Sequence, residues 1–333
     1  MFKFIRIQMI HPCRAKCAWC STHRKNPIFE RLSSNGIRDS FHQTYLEIIE
    51  TFKPKEVFVS GGEPLLSPDI EPLLSAIAAH TEKIHVFTSY QFSRRVMDKV
   101  ARFKFPDQVV LNHTPIYFEP ERWHNLTQGF PFDVYIDNIR RAAAMPVKKR
   151  FKFIVNHKLF AEEIARFRNY ITPNETCEVS LKLMNDQGDG QVVDTMQRSA
   201  ERVHERMKDL DGLLADAGWT HKARPSSSVD WMKPVLESGD VTRCVYRKDP
   251  IELRLSYGGG ERGRSILKYR YCPYFPPDVG HRFHLGRDPL SKLEKNFIKG
   301  PFRSHCNRCR LLHYTPPCES KTAPSNNELV VIN

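Results

Sequence analysis

The chain has 333 residues, 40% of them hydrophobic, and carries 51 Lys and Arg against 38 Asp and Glu, a net charge of +13. That is apolar material enough for one large core, alone or with a small appendage, and no run approaches the ~18 apolar residues of a membrane span. Nine cysteines follow an N-terminus too charged for a signal peptide, which argues for a reducing cytoplasm and against a disulfide framework.

Short β-rich runs alternate with helical periodicity over the first two thirds. Strands are expected at Lys3–Met9, Glu56–Ser60, Lys83–Thr88, Gln108–Asn112, Arg150–Asn156 and Cys177–Met184. Amphipathic helices are expected at Phe41–Phe52, Asp69–His80, Ser93–Phe103, Phe132–Ala144 and Phe160–Tyr170. Repeated βα units imply a parallel sheet, and six units fall short of the eight of a closed barrel. The fold expected is α/β, a partial (β/α)6 barrel over residues 1–221. A polar helix, Val192–Ala217, and a linker, Lys222–Asp230, then lead into a loop-rich C-terminal domain over 222–333. Strand alternation assigns one face to helix packing (Ile5, Ile7, Met9; Phe151, Phe153, Val155; Val179, Leu181, Leu183). The opposite, inward face takes Arg6 and Gln8; Lys152, Ile154 and Asn156; and Glu178, Ser180, Lys182 and Met184. So polar a lumen is a cavity for a polar ligand.

Cys13, Cys17 and Cys20 follow the first strand directly, at the sheet edge where such folds build active sites. Three thiols at this spacing hold three irons of a [4Fe–4S] cube and leave the fourth open, whereas a structural cluster takes four cysteines. After the second strand, at the same edge, comes Gly61-Gly62-Glu63-Pro64, whose glycines let main chain approach a ligand.

Cys13-x3-Cys17-x2-Cys20, with Trp19 before the last thiol, and the later Gly61-Gly62-Glu63-Pro64 together resemble the radical S-adenosylmethionine (radical SAM) superfamily. The resemblance implies that SAM chelates the open iron. It also implies that the Gly61-Gly62-Glu63-Pro64 turn contacts its methionine part, with Gly61 and Gly62 acting through main chain, and that Trp19 lies near the adenine. Cleavage then yields methionine and a 5′-deoxyadenosyl radical that takes a substrate hydrogen atom. Ser89 and Asn156, at strand ends, resemble residues used for the SAM carboxylate and ribose. Arg14, Lys16, Arg24 and Lys25 either favour the reduced cluster or are ordinary loop charges.

Towards the C-terminus, Cys306-x2-Cys309 with Cys244 and Cys272 makes four thiols, enough for a closed second cluster. Ile251–Leu255, Gly258-Gly259-Gly260 and Ser265–Tyr271 read as a hairpin, and Pro289–Ile298 as a helix before the Cys-x2-Cys loop. This order resembles the twitch domain, the shortened relative of the SPASM extension, and implies one auxiliary [4Fe–4S] cluster. Cys318 is spare, either a substitute ligand or none, and Cys177 reads as a buried thiol. Zinc on Cys306, Cys309, His313 (with His305 nearby) and Cys318 is the alternative.

Of the net charge, +9 lies in residues 218–333, a basic surface that suits an anionic substrate or an acidic redox partner. Relatives with one auxiliary cluster include twitch dehydrogenases, so the resemblance implies oxidation of a small polar substrate, fed by a flavodoxin- or ferredoxin-type reductant. Lys182, Glu178 and Arg6 are the candidate bases. A peptide maturase and a redox-neutral epimerase, decarboxylase or rearrangement enzyme are the alternatives. RNA modification rests only on the basic tail, no recognition module for nucleic acid being evident.

Overall fold

The computed structural model describes residues 2–9, 11, 13, 37–104, 107–115, 117–127, 129–155, 161–172, 174–183, 252–257, 266–271 and 281–299. Trp19, Cys17, Cys20, Asn156, Met184, Cys244, Cys272, Cys306, Cys309 and Cys318 lie outside these residues. So do the four loop cations, His305, His313, the Val192–Ala217 helix, the linker and the Gly258–Gly260 turn.

Along the chain come β1 (Phe4–Met9), α1 (Ile37–Phe52), β2 (Glu56–Gly61), a 3-10 turn (Pro64–Leu66), α2 (Ile70–Ala78), β3 (Lys83–Phe87), α3 (Arg94–Val100) and β4 (Val109–His113). These are followed by α4 (Pro120–Thr127), α5 (Phe132–Ala144), β5 (Lys148–Val155), α6 (Ala161–Tyr170) and β6 (Cys177–Leu183). The C-terminal part adds β7 (Glu252–Tyr257), β8 (Ile266–Arg270), β9 (His281–His284) and α7 (Ser291–Lys299). The expected strands and helices that fall among the described residues are there within a few residues. The hairpin read across Gly258–Gly260 is β7 paired antiparallel with β8. Two elements went unread. Helix α4 is mostly polar and anchored by its buried Trp123, which stacks on Tyr135 at 3.8 Å, and β9 is four residues with Phe283 as its one buried side chain.

Among the described residues one nine-stranded sheet carries all the strands, in the order β6-β5-β4-β3-β2-β1-β7-β8-β9. β1 to β6 are parallel neighbours in chain order. Crossovers of one hand between strands laid down in sequence put the helices that join β1 to β6 on the same face, which yields a barrel wall rather than a doubly wound sheet. Ile5, Ile7, Met9, Val57 and Val59 on that face are fully buried with Tyr45, Ile48 and Ile49 of α1 and Leu74 and Ile77 of α2. Burial of each aliphatic side chain contributes roughly 1.5–3 kcal/mol. The other face has no helix over it from these crossovers, and becomes the lumen. β7 lies parallel to β1, so the C-terminal region continues the sheet at its β1 edge. No helix among the described residues is long and apolar enough to cross a membrane.

Candidate active site

Cys13, the Gly61-Gly62-Glu63-Pro64 turn and Ser89 follow β1, β2 and β3 at their C-terminal edge. Cys13, half-exposed, lies four residues beyond Met9, the end of β1. Gly61 ends β2 directly opposite Met9, with φ of +140°. A Cβ there would sit 2.4 Å from the Met9 carbonyl oxygen and 2.8 Å from its nitrogen. Glycine is therefore required by the approach of β1 itself, whatever ligand the next peptide meets.

Glu63 is buried at the N-terminus of the 3-10 turn. Its Oε1 accepts from Leu65 N at 3.3 Å, and its Oε2 accepts from both the main-chain N and the hydroxyl of Ser89, each at 2.7 Å. Burial pushes its pKa up, against the bonds from Ser89 that favour the carboxylate. The Glu63 side chain is thus a clasp between the β2 and β3 loops. Ser89, read as a cofactor contact, gives its hydroxyl proton to that clasp.

The lumen face begins one layer below. Register sets Arg6 beside Phe58, Phe58 beside His85, Phe87 beside Asn112, Asn112 beside Arg150 and Arg150 beside Glu178. Arg6 places its guanidinium 4.9 Å from the Phe58 ring centre and 5.1 Å from that of Phe87, while Lys152 Nζ lies 4.9 Å from Phe87. Two cations over one aromatic ring make this a positively biased wall. Arg6 Nε also donates to Glu252 Oε1 at 3.3 Å, and Arg254 Nε lies 2.7 Å from the same oxygen. Burial works against the Glu252 charge, but Arg254 and Arg6 outweigh it and hold the carboxyl below its usual range. Arg150 grips Glu178 with two bonds of 3.0 Å each, a bidentate pair.

His85 has one tautomer. Asn112 Nδ2 donates to the Val110 carbonyl at 3.0 Å, which fixes the amide nitrogen, and that same nitrogen donates to His85 Nδ1 at 3.3 Å. Nδ1 is therefore unprotonated, and Nε2–H donates to Glu56 Oε2 at 3.0 Å. Burial lowers the His85 pKa, and the bond from His85 lowers that of Glu56. Neutral imidazole facing carboxylate is the resulting state.

Of the three candidate bases, Glu178 is held by Arg150 and Arg6 by Glu252. Lys182 pairs in register with Ile154, further along the same face of β6 than Glu178, and its side chain lies outside the described ones. Glu56, His85, Asn112, Arg150 and Glu252 line this face without having been singled out. Alternation in Lys83-Ile84-His85-Val86-Phe87 carries the signal for His85, which shares its face with Lys83 and Phe87.

Residues 7–171 match the family model described as "Radical SAM superfamily". They are a radical SAM domain. The chain is 25% identical over 172 residues to the GTP 3',8-cyclase of Limosilactobacillus fermentum (strain NBRC 3956 / LMG 18251), a match spanning half of each protein. Among solved structures it is similar to Streptococcus suis SuiB, with a TM-score of 0.61 at 14% identity over 94% of this chain and 71% of that one. SuiB bound to S-adenosylmethionine gives 0.59 at 14%, and SuiB bound to precursor peptide SuiA 0.61 at 15%. Similarity at that identity is one of fold.

The residues present fit the groups this domain implies. A half-exposed thiol stands at the strand edge, first of three within the matched span, and iron in such clusters takes thiolate ligands. Cys13, Cys17 and Cys20 would hold a [4Fe–4S] cluster, and the β2 edge around Gly61 and Gly62 would meet SAM.

Proposed function

We propose that the chain is a radical SAM enzyme that takes hydrogen from a small, polar, anionic substrate seated in the lumen, with net oxidation. The observation that carries this reading is the lumen wall. Arg6, Lys152, Arg150 and Arg254 face it against Glu56, Glu178 and Glu252, with the Phe58 and Phe87 rings between them. When bound, the cluster and SAM supply a 5′-deoxyadenosyl radical, and a second cluster on Cys244, Cys272, Cys306 and Cys309, with Cys318 spare, supplies a sink for the electron left behind.

The protein's own part is to bind, orient and deprotonate. Arg6 stays protonated at any working pH, so its role here is to orient the substrate's negative charge, with Glu252 fixing its fork. Proton removal falls to Glu178 or Lys182. Arg150 holds and aims Glu178 through its two bonds, so a substrate anion drawing Arg150 away would release the carboxylate for that task. The reductant is a flavodoxin- or ferredoxin-type protein, and the compartment the cytoplasm.

A second reading is a peptide substrate, favoured by the extent of the SuiB likeness, which runs over 94% of this chain. Release of 5′-deoxyadenosine above its substrate-independent rate separates the two. Small hydroxylated anions raise it under the first reading and peptides alone under the second; if neither class does, both fall. Iron and sulfide per chain test the second cluster. About eight irons, dropping to about four in Cys306→Ala/Cys309→Ala, support it, and zinc in the purified protein with four irons rejects it.

A further inference from the structure

Away from the lumen, three groups converge between the N-terminal ends of α1 and α2. Asp39 and His42 stand on the first turns of α1, and Asp69 precedes α2, where it makes no side-chain capping bond. One ligand-type atom from each lies within 4.8 Å of the other two. Arg38 now serves the two carboxylates, with Nη2 3.0 Å from Asp69 Oδ2 and Nε donating to Asp39 Oδ1 at 3.3 Å. It does nothing for the imidazole. His42 is 8% exposed, and its Nε2 is buried without a hydrogen-bond partner.

That contrasts with the buried His85 and His113, although the half-buried His284 also keeps a buried Nδ1 without a hydrogen-bond partner. His85 sits between Glu56 and Asn112, and His113 between the Thr88 carbonyl and the Tyr135 hydroxyl. A buried polar nitrogen left unpaired costs about 1–3 kcal/mol. A monocation such as Arg38 offsets one of the two carboxylate charges and leaves this cost standing. A dication balances both charges and takes the nitrogen lone pair as well.

We propose that Asp39, His42 and Asp69 are the protein ligands of a divalent transition-metal ion, in a site separate from the cysteine loop. One imidazole nitrogen with two carboxylate oxygens suits ions of the zinc, iron and manganese class rather than a thiol-seeking ion. Ligand distances of ~2.0–2.2 Å set neighbouring ligand atoms on one ion roughly 3–3.6 Å apart, so a set now within 4.8 Å closes by on the order of 1 Å to hold it. Arg38 leaves as the ion enters. Water fills the remaining positions on the side of Asp39, whose side chain is 72% exposed. An ion here pins the start of α1 to the start of α2, at the sheet edge that also carries Cys13.

The test uses the full chain with its clusters reconstituted anaerobically, titrated with Mn²⁺, which has little affinity for thiolates, while the free ion is followed by its paramagnetic resonance. The expected result is saturable uptake of one Mn²⁺ per chain. Asp69→Asn and His42→Gln each weaken it by at least the ~10–100-fold that losing even an outer-shell partner costs, and Arg38→Gln tightens it by removing the competing cation. Circular dichroism and iron content verify the fold of each variant. Asp39→Asn, at an exposed position, keeps the test valid if the buried His42 variant fails to fold. No uptake by the wild type, or uptake unchanged in Asp39→Asn and Asp69→Asn, overturns the proposal.

Discussion

Gly61→Ala separates a structural reason for the Gly-Gly turn from a ligand-binding one. The new methyl group would lie 2.4 Å from the Met9 carbonyl oxygen. Ordinary contact begins near 3.4 Å, so β1 and β2 must part by about 1 Å at their last paired residues. Forcing extra volume into a packed site costs about 1–3 kcal/mol, and a non-glycine residue at φ of +140° adds ~1–3 kcal/mol of backbone strain. A total of roughly 2–6 kcal/mol is a large share of the ~5–15 kcal/mol that holds a domain folded. The assay is urea and thermal unfolding of the apo-protein, with no cluster and no SAM. The midpoint should fall by roughly 5–20 °C, with the urea slope unchanged. If apo Gly61→Ala melts with the wild type and only its SAM binding weakens, glycine is there for the ligand and the reasoning from β1 is wrong.

Glu63→Gln keeps the shape of the clasp but offers one acceptor oxygen where two now serve Leu65 and Ser89, so unfolding should move by about 1–3 kcal/mol. Unchanged stability there would mean that the loops hold without it. Arg150→Ala and Glu178→Ala should show a coupling of about 0.5–3 kcal/mol in a double-mutant cycle; additive effects would show the pair to be idle. His113 donates from Nδ1 to the Thr88 carbonyl and accepts at Nε2 from Tyr135, and burial lowers its pKa from 6.5 to about 4. The unfolded chain then takes up the proton first, so stability present above pH ~6.5 is lost as pH falls towards ~4, by about 3 kcal/mol in total. His113→Gln should lack that loss in acid unfolding titrations, and a variant with the wild-type pH slope would refute the assignment.

Much of this architecture was legible because its signals are local. Alternation of Phe4-Ile5-Arg6-Ile7-Gln8-Met9 separates core from lumen without any knowledge of partners, and the cysteine spacing is read within eight residues. What escaped depends on register between distant strands. Arg6 meets Glu252 across 246 positions and Arg150 meets Glu178 across 28, so neither pairing is visible in a window of sequence. The Gly61-Gly62-Glu63-Pro64 motif by itself marks Glu63 as a cofactor contact. Its burial against Ser89, 26 residues on, emerges only when β2 and β3 lie side by side. His42 falls within the Phe41–Phe52 stretch, and nothing in the Arg38–Phe41 run announces that Asp69 will stand beside it.

The domain at 7–171 should be catalytic, and one reaction tests this directly: anaerobic protein with its cluster reconstituted, SAM, and dithionite. Release of 5′-deoxyadenosine that is lost in Cys13→Ala is the predicted result. SAM recovered intact from the wild type, with the cluster shown to be present and reduced, would contradict it.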